Sequence, residues 1–321
     1  MNVRFGIVGL GSISTRFASV LNTVEGVELT AVASRDQARS DAFAQKFGAK
    51  KAYHNYLDVI TDDEVDIVYD GLTHNFHYEI TKLCLEHGKG ILCEKPFVTT
   101  QKDAEELVAL ARENKTLLME ALWTRCMPAF QKAKEWVKAG KIGQVKLITA
   151  NFCFKIDYDP EHRLFNPKLA GGSLFDAGVY PIGFALGILD EHPDSVNGLA
   201  KLCPTGVDES ASMSMSFASG ALASLSCGFT TNASREANIY GTEGHIFVDE
   251  CVGPQKCELF DNENNLSERF EEPAEDGFIY QIRHCADLFR RGKLESDLIP
   301  WRDTVACAGI FDSLRKQWGL M

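Results

Sequence analysis

Along the first 120 residues, short continuous apolar runs alternate with longer stretches in which apolar positions recur every three or four residues. That rhythm predicts buried strands joined by amphipathic helices, the pattern of a parallel sheet covered on both faces. The strand candidates are Arg4–Val8, Leu29–Ser34, Ile67–Tyr69, Gly90–Cys93 and Leu117–Glu120. Asp36 is placed to cap a helix that runs through Phe47 and stops at Gly48, and Asn75 to start one that stops before Gly88. After a helix over Met127–Ala139 the rhythm changes. Strand-like runs now follow one another directly, at Val145–Phe154, Ser210–Phe217, Leu222–Phe229, Glu236–Tyr240 and His245–Val248. The short turns at 218–220 and 242–244 suit antiparallel hairpins. Two helices, about Gly277–Arg291 and Trp301–Trp318, close the chain. The α/β fold expected is an N-terminal Rossmann domain over 1–121 and a C-terminal α+β domain over 122–321, built on a large, mostly antiparallel open sheet that serves substrate binding and dimerisation.

Composition narrows the function classes. At 321 residues the chain exceeds the usual size of one core, and 45% hydrophobic with 24% charged residues excludes a largely disordered chain. The acidic 261–276 stretch reads as a surface hairpin. A formal net charge of −12 argues against nucleic acid, whose phosphates are bound through clustered Lys and Arg. The start MNVRFGIVGLG lacks the features of a secretory signal, and no later apolar run is expected to reach membrane-spanning length, so the expectation is a cytoplasmic protein with no membrane partner. The ten cysteines form no C-x-x-C pair and have no histidines at metal spacing; they read as reduced, mostly buried thiols. Cys251 and Cys257, the closest pair, are expected on successive strands.

Gly9-Leu10-Gly11-Ser12-Ile13-Ser14 follows the first strand and opens a helix, the context in which a glycine turn holds a pyrophosphate. Gly9 permits the turn and Gly11 the close approach, while the N–H groups at Ser12 and Ile13 and the positive end of the helix dipole favour an anion. Ser14 replaces the usual third glycine or alanine. The second strand ends in Ser34-Arg35-Asp36, with Ser34 where an NAD-preferring site carries an acid. Arg35 can pair with a 2′-phosphate, which favours NADP over NAD, although Asp36 offers an alternative contact to a ribose if it is more than a helix cap.

Glu94-Lys95-Pro96 follows the fourth strand-like run at the carboxyl edge, where open α/β sheets bind ligands. An ammonium there can hold a substrate oxygen and stabilise a developing alkoxide. Farther on, Gly171-Gly172 opens a turn, Ser173 is placed to cap a helix, and Asp176 and Tyr180, four apart, share one helix face. A phenol can donate a proton to a ketone being reduced, and a nearby ammonium favours its ionised form in the reverse direction. Asp176 is equally readable as part of a Ser-x-x-Asp cap, and Tyr180 as a buried aromatic.

These motifs, with THNFH at 73–77 and MEALWTR at 119–125, resemble the glucose–fructose oxidoreductase / inositol dehydrogenase / MocA family over nearly the full length. EKP at 94–96 together with GGSLFDAGVYPIG at 171–183 is the most diagnostic combination. Many relatives carry histidine at the place of Tyr180; the tyrosine is similar to the subgroup of dimeric dihydrodiol dehydrogenase and NADP-dependent D-xylose dehydrogenase. The resemblance implies Lys95 and Tyr180 as catalytic groups with Asp176 beside them. It also implies a cofactor side that includes Thr73, His74, Asn75, His77 and Glu94. Trp123 and Arg125, where the chain passes between domains, suit cofactor or substrate contact or ordinary packing. Phe154, Tyr158 and Phe165 suit either a pocket wall or the core.

The activity expected is hydride transfer between NADP(H) and a secondary alcohol carbon of an aldose or cyclic vicinal diol, with no metal required. The alternatives are an NAD-dependent inositol- or amino-sugar-type dehydrogenase and a non-catalytic dinucleotide sensor. A homodimer is expected through the outer face of the C-terminal sheet, with Met213, Met215, Phe217, Leu225 and Phe229 as its apolar surface.

Overall fold

The computed structural model describes residues 2–321, which form two compact units. The first comprises the chain up to Val98, Lys102–Ala121 and Phe278–Thr304. Its first strands and helices are β1 (Val3–Val8), α1 (Ser12–Leu21), β2 (Val27–Ala33), α2 (Gln37–Phe47), β3 (Lys51–Tyr53) and α3 (Tyr56–Ile60). They are followed by β4 (Ile67–Asp70), α4 (His77–Glu86), β5 (Gly90–Glu94), α5 (Gln101–Asn114) and β6 (Leu118–Ala121). The strand order is β3-β2-β1-β4-β5-β6 and every neighbouring pair is parallel. The order reverses between β1 and β4, which opens the ligand-binding crevice of this topology at their carboxyl ends. Helices cover both faces, so β4 and β5 are buried throughout and read as continuous apolar runs rather than alternating ones. α2 begins and ends as expected: Asp36 accepts hydrogen bonds from the Ala38 and Arg39 amides, and Gly48 closes it at φ 75°. β3 and α3, of three and five residues, are too short for a period to reveal.

The second unit comprises Thr99–Gln101, Leu122–Gly277 and Val305–Met321. It contains α6 (Pro128–Lys138), β7 (Val145–Cys153), α7 (Val179–Leu189), β8 (Pro193–Leu202), β9 (Asp208–Phe217) and β10 (Leu222–Gly228). β11 (Ala237–Gly241), β12 (His245–Val248), β13 (Lys256–Phe260) and β14 (Leu266–Glu271) complete its sheet, ordered β14-β13-β12-β11-β7-β10-β9-β8. Only β7 and β10 pair in parallel. The 261–276 stretch forms the tight turn and edge strand of the β13–β14 hairpin. Cys257 lies on β13, but Cys251 falls in the bend after β12 rather than on a strand.

α7 packs on β7 and β10, and α6 on β12–β14. Covered by the sheet and by neighbouring helices, α7 is apolar all round: Val179 through Ile188 are buried. With the preceding turns it forms the one stretch among the described residues, Pro167–Leu189, long and apolar enough to cross a membrane, which corrects the expectation that none exists; of its most apolar 18 residues, 94% are buried inside the protein.

The apolar surface expected for a dimer also needs correction. Met213, Met215, Phe217 and Leu225 alternate onto the face that the helices cover, and Phe229 joins a cluster with Leu164 and Phe165, so all five are buried within the chain. Strand periodicity assigns them to one face without saying which face the helices take. Phe165, with Phe154 packed against it, is a core residue, whereas Tyr158 is exposed at its edge.

Two late helices follow the second sheet, α8 (Phe278–Arg290) and α9 (Trp301–Gln317). α8 returns to the first unit and packs on α1 and β1, burying Phe278, Ile282 and Cys285. A cut into 1–121 and 122–321 therefore does not describe the chain, because the amphipathic stripe of α8 finds its apolar partner in the first sheet layer.

Candidate active site

Gly9 sits at φ +79°, and a Cβ there would lie 2.6 Å from the Leu72 side chain, so both conformation and space demand glycine. Gly11 precedes α1 with nothing within 4 Å of where its Cβ would point. The helix start has no side-chain cap and no acidic residue in its first turn, which keeps the donors around Ser12 and Ile13 available to an anion. Ser14 is fully buried and donates its hydroxyl to the Gly9 carbonyl at 2.5 Å. The replacement of the third glycine thus ties the turn internally. Open space over a glycine-walled, uncapped helix start fits a pyrophosphate.

At the end of β2, the buried Ser34 hydroxyl donates to the Asp36 carbonyl at 2.7 Å and meets Ser40 Oγ at 3.0 Å, so Ser34 shapes the turn. Asp36 is engaged as the cap of α2. Arg35 is exposed. Arg39, not foreseen from the sequence, donates from Nη2 to the Leu10 carbonyl at 2.5 Å. Burial raises the Tyr56 phenol's pKa, while the Arg35 and Arg39 charges act in the opposite direction.

Buried acids and a histidine clamp the Glu94-Lys95-Pro96 turn. Glu94 accepts the Tyr69 hydroxyl at 2.6 Å and the Lys95 amide at 3.2 Å. Burial raises its pKa, against the Tyr69 hydrogen bond and the Lys95 charge. Glu120 accepts the Phe97 amide at 3.0 Å and the Thr304 hydroxyl at 2.9 Å. His77 sets Nδ1 2.9 Å from the Pro96 carbonyl and Nε2 3.2 Å from that of Leu72. Asp70, fully buried, accepts the Leu72 amide with one oxygen, while the other has no hydrogen-bond partner. Ligand atoms of Asp70, His77 and Cys93 lie within 4.8 Å of one another, and both ring nitrogens of the histidine face backbone carbonyls. A short 3-10 turn spans His74–Phe76, and before it Thr73 donates to Asn75 at 2.7 Å; α4 starts only at His77, so Asn75 is not its cap.

In the second unit a π-helical turn, Leu174–Gly178, leads into α7 and carries Asp176. Such turns recur at functional sites. Ser173 makes no side-chain cap to this turn: its hydroxyl is donated at 2.7 Å to Asp208, on β9, which also accepts the Leu174 amide at 2.6 Å, and Asp176 accepts from Arg163 at 3.0 Å. Tyr180 is buried and its oxygen accepts the Trp123 indole N–H at 3.2 Å. Arg125 is buried with Nε on the Gly183 carbonyl of α7 at 2.9 Å, a packing contact within the unit.

Residues 3–122 match the oxidoreductase family with an NAD-binding Rossmann fold, and 130–247 match the GFO/IDH/MocA C-terminal domain. The chain is 31% identical to trans-1,2-dihydrobenzene-1,2-diol dehydrogenase of Mus musculus over 100% of its own length and 98% of the relative's. The chain belongs to the GFO/IDH/MocA oxidoreductase family. Among solved structures it is similar to KijD10, a 3-ketoreductase from Actinomadura kijaniata in complex with NADP and TDP-benzene, at 26% identity, TM-score 0.87 and 98% coverage of both chains. Its fold is shared with an aldose-aldose oxidoreductase from Caulobacter crescentus, at TM-score 0.89, 24% identity, and 99% and 98% coverage.

In this oxidoreductase, Asp70, Glu120 and Asp208 escaped the sequence reading because each acts on backbone distant in sequence or on a turn with no motif. Arg39 alone had a signal, a second arginine four residues after Arg35.

Asp208 is nearly fully buried, and burial pushes its carboxyl up to about 6 in spite of the Ser173 and Leu174 hydrogen bonds. The folded state holds this proton to higher pH than the unfolded chain, so its contribution to stability is present at low pH and is lost as pH rises from about 4 to about 6. The stability difference between wild type and Asp208→Asn should change by about 3 kcal/mol across that window, read from urea unfolding at several pH values. A constant difference contradicts the assignment.

Proposed function

We propose that this oxidoreductase transfers a hydride between NADP(H) and a secondary alcohol carbon of an aldose or cyclic vicinal diol. The supporting observation is the clamped Glu94-Lys95-Pro96 turn at a Rossmann sheet edge in a chain that also carries a buried Tyr180 phenol. Its kinship with a dihydrodiol dehydrogenase and with a ketoreductase solved with NADP points to the same substrate class and cofactor. The nicotinamide supplies the hydride chemistry when bound. The Gly9–Ile13 turn takes the pyrophosphate, and Arg35 with Arg39 takes the 2′-phosphate. Lys95 holds the substrate oxygen and stabilises its negative charge, and the Tyr180 hydroxyl gives that oxygen its proton on reduction. Asp176, held by Arg163, orients the substrate hydroxyl beside Tyr180.

We further propose a cytosolic homodimer. Ten free thiols, nine of them buried, suit a reducing compartment. On the outer sheet face, Leu222, Leu147, Tyr240, His245 and Phe260 form one row across β10, β7, β11, β12 and β13, and Leu266 adjoins it on β14. The Tyr240, His245 and Phe260 rings stack, and Tyr240, Leu222 and Leu266 are exposed, so a second copy covering the row buries aromatic surface.

Cofactor preference is the first check. NADP(H) should bind more tightly than NAD(H), and Arg35→Ala or Arg39→Ala should each weaken NADP(H) by about tenfold to a hundredfold with little change for NAD(H). Dissociation constants from fluorescence titration decide this, and an unchanged preference in both variants removes these arginines from the site.

Light scattering at micromolar concentration should show a dimer for the wild type and a monomer for Leu222→Lys/Tyr240→Lys; a monomeric wild type ends the dimer proposal.

For the chemistry, aldoses, inositols and trans-dihydrodiols are assayed by nicotinamide absorbance with both cofactors. On the best substrate Tyr180→Phe should lower turnover by about two to four orders of magnitude, and Lys95→Ala by at least as much. The double variant should be little worse than the worse single one, because groups that act as a unit do not add. Near-normal turnover in Tyr180→Phe removes the phenol from the reaction, and additive losses mean that the two groups do not serve one oxygen.

A further inference from the structure

We propose that Trp123 is a positioning residue for Tyr180: its indole N–H aims the phenol and favours its ionised form, in a slot that Gly253 and Gly277 keep open. The inference rests on the reading of Tyr180 as the proton donor.

An indole N–H only donates, so in the 3.2 Å contact the Tyr180 oxygen must accept. With one lone pair met by Trp123, the phenol's own hydrogen is directed away from the indole, toward whatever else approaches that oxygen. A donor fixed on the oxygen also stabilises a phenolate more than a phenol, which makes the proton easier to give and helps the reverse oxidation. The other side of the ring is held too. Phe152, on β7, meets Tyr180 at 5.5 Å between centroids and 86° between planes, and the Arg235 guanidinium lies 4.4 Å from the centre of the Phe152 ring. Tyr180 is thus fixed by an aromatic edge contact and by a hydrogen bond at its tip.

The position of Trp123 has its own support. Its indole passes two glycines from distant parts of the unit, Gly253 after β12 and Gly277 after β14. A Cβ on Gly253 would overlap the indole ring, and one on Gly277 would come within 2.5 Å of it and of the Met127 sulfur. Neither glycine has a positive φ, so space rather than backbone conformation calls for them. The next residue, Thr124, donates its hydroxyl to the Val252 carbonyl and holds the Trp123 turn against the segment that contains Gly253. Two missing side chains and one hydrogen bond therefore set the ring where its N–H reaches Tyr180.

Other ionisable groups surround Tyr180 within the unit and must be constant in a test. On its own helical run they are Asp176, paired with Arg163. From the segment before β11 comes Arg235, which lies over Phe152 of β7 and is paired with Glu250 at 2.9 Å; Arg125 faces the same helix from the 3-10 turn after β6, and Cys227 faces it from β10. Trp123→Phe alters none of these charges and keeps an aromatic ring, so a change in Tyr180 ionisation reports on the lost N–H.

The ionisation is read by NMR on protein labelled with 13C at the tyrosine ζ carbon. Tyr180 is identified among the eight tyrosines by the resonance missing in Tyr180→Phe. In Trp123→Phe the Tyr180 resonance should titrate about one pH unit higher than in wild type. The limb of the kcat profile that follows the phenol should move with it, with less change in KM for the cofactor than in kcat. Gly253→Ala and Gly277→Ala, which keep the indole but displace it, should move the resonance in the same direction and serve where Trp123→Phe folds poorly. An unmoved resonance in all these variants overturns the inference and leaves the role of Tyr180 intact. Unimpaired turnover in Tyr180→Phe overturns that role instead, while the resonance still reports on the bond.

Discussion

A carboxylate taken out of water is costly unless its oxygens are met by donors, and the surroundings of the candidate groups in each unit are built around that constraint. At the edge of the first sheet, Glu94 and Glu120 are buried and each accepts two hydrogen bonds, at least one of them from the backbone around Lys95. In the second unit, Asp208 is buried and accepts the donors that open the helix leading to Tyr180. Each acid thereby fixes a stretch of backbone: removing the acid frees the turn, and removing the turn's donors strands the acid. Rigid presentation of a lysine and a phenol follows from satisfying these acids.

The glycines repeat the same logic with space in place of charge. Gly9 leaves room for Leu72, whose carbonyl faces His77, whose other nitrogen faces the carbonyl of Pro96. The turn that would hold phosphates and the turn that carries the lysine are thus joined through one imidazole inside the first unit. In the second unit Gly253 and Gly277 admit Trp123 to the neighbourhood of Tyr180. Such positions contribute no chemical group, and each decides where one can stand.

Much of this was legible in order along the chain. The glycine turn, the cap at Asp36, the strand before Lys95 and the hairpins at 218–220 and 242–244 are local, written in period, turn residues and neighbours a few positions apart. The return of α8 to the first unit was not, because an amphipathic helix announces that it has an apolar face and not which sheet will cover it. The inner and outer faces of the second sheet were exchanged in the dimer expectation for the same reason: alternation separates two faces and leaves open which one meets the helices.

The sequence by itself therefore determined the two kinds of sheet, the crevice-bearing first unit and the identities of the candidate chemical groups, since these depend on short-range backbone preference and on residue type. Only the tertiary structure decided what holds those groups. Asp208 capping a helix 34 residues upstream, Glu120 reaching Phe97, Trp123 donating to Tyr180 across 57 positions, and Ser34 turned inward to its own loop are contacts between segments far apart or side-chain directions with no motif. A hydrogen bond needs an angle and a distance, and for residues far apart in sequence both come into existence only when the chain has packed.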